Sequence, residues 1–447
     1  MKLEEQKLNK VIQKFNLQHR QDVISFIKKN PESLGIDELS RIAELVNNSR
    51  VDTAAYYTDF DTLRLLSVHL PDIKKDVISV LEPSVGVGNF IQIIINKYSH
   101  AKKLVIDVND IDEESIELTK ALNQHRIIPD NVEINYNVGD FLTEDFSKKY
   151  DLIVGNPPFL KLKRATGLSE YANQFDDSTT TNLSGFFIQK ACWTGEHIVM
   201  IMPKYLLNNP DFKETRSRIN KFAIDKIIDF GEKGFRGVLI ETISLVIDTQ
   251  KKRGKTFTYS VTKKIENIVK QSEMTSEEYP SWLLYRNDFF DKIANCMEFG
   301  VFKVYRDRQL TNSIMKSSGD IRVLKSRNIN RDGSGFTSIP GYDGFIDSVE
   351  ANKYIVSKYL DRDDVYLSPN MTYYPRVIKK PKNTLVNGSV AILEKKISKE
   401  ISDKQLNFLS GKTFEDFYRI ARNYSTRSLN IDSSSVYFFG LYNNDGE

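Results

Sequence analysis

Long apolar runs are absent from this sequence, and no stretch approaches the roughly 18 uninterrupted apolar residues of a membrane span. Cysteine is almost absent too. Its two copies, Cys192 and Cys296, lie far apart, which excludes a disulfide framework and fits a reducing interior. The opening M-K-L-E-E-Q is too charged for a secretory signal, so a cytoplasmic protein with no membrane partner is expected. The five histidines, His19, His69, His100, His125 and His197, show no metal-ligand spacing, and no metal is expected. An excess of one charge is also lacking, at +3 overall. Its distribution is uneven: from residue 300 onward 23 Lys and Arg face 17 Asp and Glu. A basic distal third suits contact with a polyanion, and suits a solvated surface equally well.

What is present is ordinary globular composition, 40% apolar and 28% charged, over 447 residues, enough for two or three domains with full cores. Residues 1–50 carry apolar positions at helical spacing (Leu8, Val11, Ile12, Phe15; Ile42, Leu45, Val46) broken by N-P-E-S-L-G, which predicts two or three short helices. From Asp76 to about residue 250 the pattern alternates between β-type runs such as V-I-S-V-L-E and K-L-V-I-D-V and helical runs such as E-E-S-I-E-L-T-K-A-L-N. That alternation predicts an α/β fold, a doubly wound and mainly parallel sheet with helices on both faces. Beyond K-K-R-G-K the chain turns irregular and rich in Tyr, Phe, Asn and Ser, as expected of a second, mixed α+β domain built for surface contacts.

One stretch is chemically unusual. Residues 150–160 read Y-D-L-I-V-G-N-P-P-F-L, a strand that runs into an amide, two prolines and an aromatic ring. Neither Pro157 nor Pro158 can donate to a sheet ladder, so pairing stops at Asn156, which is held extended and stiff. The Asn156 and Pro157 oxygens beside Phe159 then form a receptor for a flat amine. Three earlier strand ends carry further signals. L-E-P-S-V-G-V-G-N-F puts Gly86 and Gly88 in a tight turn that a ligand can approach closely, or in a plain strand-to-helix turn. Asp110 in V-N-D-I-D can accept from both hydroxyls of a ribose, or cap the next helix, a task Asp112 could take instead. Asp140 in V-G-D-F can accept from an adenine amino group. Ligands of such sheets sit at the carboxyl ends of the strands, so the set describes a pocket for an adenosine-like cofactor beside a site for a planar amine.

The ordered set A-Y-Y-T-D, L-E-P-S-V-G-V-G-N-F, V-N-D-I-D, G-D-F and G-N-P-P-F resembles the adenine-specific (N6) DNA methyltransferases of restriction–modification systems, in the class whose cofactor motifs precede the catalytic one and whose recognition domain comes last. The resemblance implies S-adenosylmethionine as cofactor, held by Tyr57, Thr58, Glu82, Ser84, Gly86, Gly88, Phe90, Asp110, Ile111, Asp140, Phe141 and Asn156. It implies Asn156, Pro157, Pro158 and Phe159 as the catalytic motif, with Phe159 and Phe235 stacking on a flipped-out base. Val85 and Val87 depart from the smaller residues the family usually carries. Lys161, Lys163 and Arg164 would suit DNA phosphates, and L-K-S-R-N-I-N-R and N-Y-S-T-R-S-L-N-I resemble recognition segments, pointing to Arg327, Arg331 and Arg427, with Arg376 and Arg422 as further candidates. The implied division is a helical segment over 1–50, a catalytic domain over 51–250 and a DNA target-recognition domain over 251–447. The implied partner is double-stranded DNA, read by a monomer, with a cognate endonuclease encoded separately. The alternatives are a modification subunit needing a separate specificity chain, an RNA or protein-glutamine methyltransferase, and a DNA-binding protein on a silent scaffold.

Overall fold

The computed structural model describes residues 2–46, 58, 60–146, 148–163, 167–234, 240–371, 373–426 and 430–443. The chain divides into two units, Met1–Ser272 and Glu273–Glu447.

In the first unit nine strands form one sheet: β1 (Val77–Glu82), β2 (Lys103–Asp110), β3 (Val132–Val138), β4 (Tyr150–Gly155), β5 (Gly195–Pro203), β6 (Ala223–Gly231), β7 (Thr242–Asp248), β8 (Lys255–Ser260) and β9 (Ile265–Lys270). Their order is β3-β2-β1-β4-β5-β7-β6-β8-β9. From β3 to β5 all neighbours are parallel. The mainly parallel sheet expected from the sequence is therefore present, with one feature that periodicity could not reveal: β7 lies antiparallel between β5 and β6. Strand β4 is buried along all six residues, which is why Leu152, Ile153 and Val154 read as a continuous apolar run. The sheet also continues past residue 250, because β8 and β9 extend it beyond β6. Strand β8 buries alternate positions and the edge strand β9 buries only Val269, so their sequences K-T-F-T-Y-S and I-E-N-I-V-K resemble irregular surface chain.

The helices that shape the site are α1 (Lys2–Lys14), α2 (Arg20–Lys29), α3 (Ile36–Val46), α4 (Phe60–His69), α5 (Ile91–Tyr98), α6 (Glu113–Asn123), α7 (Leu168–Gln174) and α8 (Leu183–Thr194). None of the described helices is long and apolar enough to cross a membrane. The first three share a core, with Leu8, Ile24, Ile27, Leu39 and Ile42 packed on Leu118, Ala121 and Leu122 of α6 and on Val87 of the glycine turn. Val87 is 1% exposed and anchors that turn to the N-terminal helices. Strand order reverses between β1 and β4, and at such a switch point the carboxyl ends of neighbouring strands leave a crevice.

The second unit is mixed. A four-stranded antiparallel sheet (Phe302–Arg306, Val390–Lys395, Val365–Pro369, Ile378–Lys379) and a three-stranded one (Gly344–Ile346, Ile321–Leu324, Thr384–Val386) share a core that includes Val323, Tyr359, Leu367 and Ile392. The F-E-D-F-Y-R-I-A run lies in the helix Lys412–Ala421.

Leu122 is fully buried where the N-terminal helices meet α6. Leu122→Ala is expected to destabilise the first unit by about 2–5 kcal/mol, read from the midpoint of denaturant unfolding. An unchanged midpoint would show that these helices do not share a cooperative core with the sheet.

Candidate functional site

The carboxyl ends of β1, β2, β3 and β4 surround a cavity of about 210 Å³. Of the residues singled out in the sequence, Thr58, Glu82, Ser84, Gly86, Phe90, Asp110, Ile111, Asp140, Phe141, Asn156 and Pro158 line it. Gly88, Pro157 and Phe159 are not on its wall. Tyr57, Arg164, Phe235 and Arg427 lie outside the described residues.

The glycine turn is pinned from beneath. Gly86 and Gly88 have φ of 56° and 70°, a left-handed conformation that glycine adopts without strain. A Cβ on Gly88 would also meet Ile91 Cδ1 and Thr119 Cγ2 at 2.9 Å. Asp110 fixes the turn by accepting from the Gly86 N–H at 2.9 Å, while its other oxygen accepts from the Asp112 N–H at 3.0 Å. Asp112, not Asp110, caps α6, accepting from the Glu114 N–H. Asp110 is thus released from capping and stands on the cavity wall. Burial pushes its carboxyl up to about 6, against the opposing pull of the Gly86 N–H and the Arg20 charge. Glu82 is 1% exposed, and burial holds it well above the usual carboxylate range. Its Oε2 is buried with no hydrogen-bond partner.

Asn156 follows β4 directly. Its Nδ2 donates to Thr58 Oγ1 at 3.3 Å, and its backbone oxygen accepts from Ser84 Oγ at 3.3 Å. Holding the amide nitrogen fixes the rotation of the group, with the oxygen as the accepting end. Phe159 is 5% exposed within the main core, and its carbonyl accepts from Asn182 Nδ2 at 3.1 Å. Asp140 accepts from the Leu142 N–H and from the Tyr171 hydroxyl at 3.0 Å.

Several wall residues were not foreseen: Arg20 from α2, Asn89, Tyr171 from α7, and Leu183 and Phe187 from α8. Phe187 packs on Phe141 with ring centroids 5.2 Å apart. Its helix carries an apolar run that reads simply as core. Asn89 bridges Thr58 and Glu44 by donating to both.

Residues 22–235 match the family model described as Eco57I restriction-modification methylase. Over that segment, a little under half of the chain, the sequence is similar to the restriction–modification methylases. The type II methyltransferase M.CvrRI of Paramecium bursaria Chlorella virus XZ-6E is 28% identical over 178 residues, 38% of this chain and 41% of its own. M.AccI of Acinetobacter calcoaceticus, also a type II methyltransferase, is 26% identical over 225 residues, 47% and 39% of the two chains. The alignments span about two-fifths of the length of these curated relatives. Among solved structures, the type IIL restriction-modification enzyme MmeI in complex with DNA is similar in fold, with a TM-score of 0.53 over 90% of this chain and 70% of its own at 12% identity.

The methylase cofactor, S-adenosylmethionine, fits this wall. The partnerless Glu82 oxygen calls for a donor such as an ammonium group, Asp110 offers a carboxylate to hydroxyls, and Ile111, Phe141 and Phe187 offer apolar surface to a purine. The candidate DNA contacts are more scattered. Lys161 is exposed and paired with Asp211 at 2.6 Å, and Lys163 is exposed. In the second unit Arg327 lies over Tyr342 and Arg331 lies 3.8 Å from the centroid of Tyr374, both arginines being exposed. Arg376 and Arg422 do not fit a DNA-contact role. Arg376 donates to the carbonyls of Tyr374, Ser326 and Ile329, and Arg422 is 8% exposed with its guanidinium 3.8 Å from Asp432. Both are committed to the unit's own framework.

With the Asp110 carboxylate as the expected acceptor, cofactor affinity should fall as pH drops through about 6, where protonation turns that acceptor into a donor. Asp110→Asn should weaken binding at neutral pH by about tenfold or more and flatten this dependence, read by calorimetric titration with S-adenosylhomocysteine. Wild-type affinity that stays level into mild acid would remove Asp110 from the cofactor site.

Proposed function

We propose that this protein transfers the methyl group of S-adenosylmethionine to the exocyclic N6 amine of an adenine extruded from double-stranded DNA, as the modification activity of a restriction–modification system. The observation that carries the reading is the position of Asn156 on the same wall as Glu82, Asp110 and Asp140. An amide locked ahead of two prolines, at the edge of a cofactor pocket, has no comparable structural use.

The adenine amine is a poor nucleophile because its lone pair is delocalised into the ring. Asn156 Oδ1 and the Pro157 carbonyl accept its two hydrogens and favour the tetrahedral nitrogen whose lone pair can attack. The cofactor supplies a methyl group activated by its sulfonium. No strong base is needed from the protein, whose task is to hold the amine in line. Thr58 steadies the Asn156 amide, and the cavity acids balance a cationic ligand. A duplex adenine cannot reach this pocket without leaving the stack, at a cost of about a few kcal/mol. In this structure Phe159 is packed inward, so stacking on the base requires its ring to rotate, while the backbone stays pinned by Asn182. Exposed arginines of the second unit, Arg327 and Arg331, supply the phosphate and base contacts expected of a recognition domain.

Expression in a host free of adenine methylation, followed by sequencing that detects modified bases, is expected to reveal one methylated motif. Asn156→Ala should erase it, while S-adenosylhomocysteine still binds measurably because the rest of the cavity wall remains. Methylated cytosine, or methylation that survives the substitution, would overturn the proposal. For DNA binding, Arg331→Ala is expected to lower the slope of log affinity against log salt by about one. An unchanged slope would place that side chain away from phosphate.

A further inference from the structure

Arg20 lies before the segment shared with the methylase family, yet it lines the cavity. It opens α2, and its guanidinium is ion-paired with Asp112 and stands 3.9 Å from Glu114 Oε2. The pairing is not needed to satisfy Asp112, which already accepts from the Glu114 N–H and from Ser115 Oγ. A cation is also misplaced at the positive end of α6, where the helix dipole favours anions. The apolar packing of Ile24 and Ile27 on Leu118 and Leu122 already attaches α2 to α6. What a cation does satisfy here is the excess of acid. Asp110 shares the cavity wall with Glu82 from β1, Asp112 from the start of α6 and Asp140 beyond β3, Glu114 pairs with Arg20 just outside it, and Arg126 acts on Glu82 as a further cation.

We propose that Arg20 is a positioning residue of the cofactor site, keeping the Asp110 carboxylate ionised so that it accepts the ribose hydroxyls of S-adenosylmethionine, and thereby making the N-terminal helical segment a working part of that site. The inference rests on the cofactor reading above. Its physical content is a charge effect: Arg20 lines the same cavity as Asp110 and its charge pulls the Asp110 carboxyl down, as a nearby opposite charge does to a carboxyl by about one unit or more. Removing that charge adds to the upward push that burial already exerts on Asp110.

The test uses the full chain and S-adenosylhomocysteine, titrated by calorimetry from mildly acidic to mildly alkaline pH. For Arg20→Gln the midpoint of the pH dependence should move up by about one unit, so that affinity falls about twofold just below neutrality, about fivefold near pH 6 and close to tenfold in more acid solution, and converges on wild type in alkali. Arg20→Lys should recover most of the loss. Asp112→Asn keeps a good helix cap while removing a like charge beside Asp110, and should move the midpoint down. If Arg20 merely fastens α2 to α6, both Arg20→Gln and Asp112→Asn lose affinity by a constant factor at every pH, and the proposal fails. It fails too if Arg20→Gln binds as wild type does. Should Arg20→Gln not fold, the opposite-direction shift in Asp112→Asn and the wild-type-like profile of Arg20→Lys still decide the matter. Wild-type protein that binds no ligand at any pH would sink the cofactor reading itself, an outcome distinct from these.

Discussion

Two prolines stop a strand, and the site is organised around that stop. Pro157 and Pro158 lack the N–H that a sheet ladder requires, so the chain leaves the sheet at the residue where β4 stops pairing with β1 and β5. The residue delivered there is Asn156, with its side-chain nitrogen on Thr58 and its carbonyl on Ser84. An apolar continuation would have carried the strand onward, with no amide at the edge. Because β1 and β4 are the strands between which the order reverses, Glu82 and Asn156 reach the edge of the same crevice. The proposed cofactor and acceptor sites meet because one strand is interrupted.

The glycine turn is the second constraint, and it shows why the first 46 residues are integral to the unit. Gly86 and Gly88 provide a backbone that can bend sharply, but bending freedom alone does not fix a position. Two anchors supply that. Asp110 accepts from the Gly86 N–H on the cavity side, and Val87 plugs into the core of the N-terminal helices on the other. A smaller residue at 87 would leave that core with a void, so the size of Val87 follows from the helices packed behind it.

The sequence was legible where one physical rule governs each residue. Periods of two and of about 3.6 distinguish strands from helices, which suffices for β1 to β6 and for the N-terminal helices. Acids and glycines at successive strand ends mark the cavity edge without any coordinates. Long-range pairing was not legible: nothing in T-I-S-L-V-I-D states that β7 inserts antiparallel between β5 and β6. Nor was the far wall, since Arg20, Tyr171 and Phe187 come from helices whose periodicity reports only which face is apolar. The arginines of the second unit show the same limit. Residue type marks all of them as candidate DNA contacts, whereas hydrogen bonding ties the half-buried Arg376 to carbonyls, burial places Arg422 beside the Asp432 carboxylate, and Arg327 and Arg331 remain exposed.

A buried cluster of acids has an energetic consequence. Burial raises Asp110 to about 6 from an ordinary 3.8, so between those values the unfolded chain is ionised and the folded one holds a proton. Stability therefore falls as pH rises through that window, and at neutral pH the empty site carries the full penalty of an ionised, partly desolvated carboxylate. Glu82 acts with the same sign, its Oε2 enclosed and without a hydrogen-bond partner. A fold selected for stability alone would replace both with apolar residues. Their presence is understandable if a cationic, hydroxyl-bearing ligand offsets the desolvation each time it binds, so that the strain of the empty pocket becomes selectivity for the ligand that relieves it.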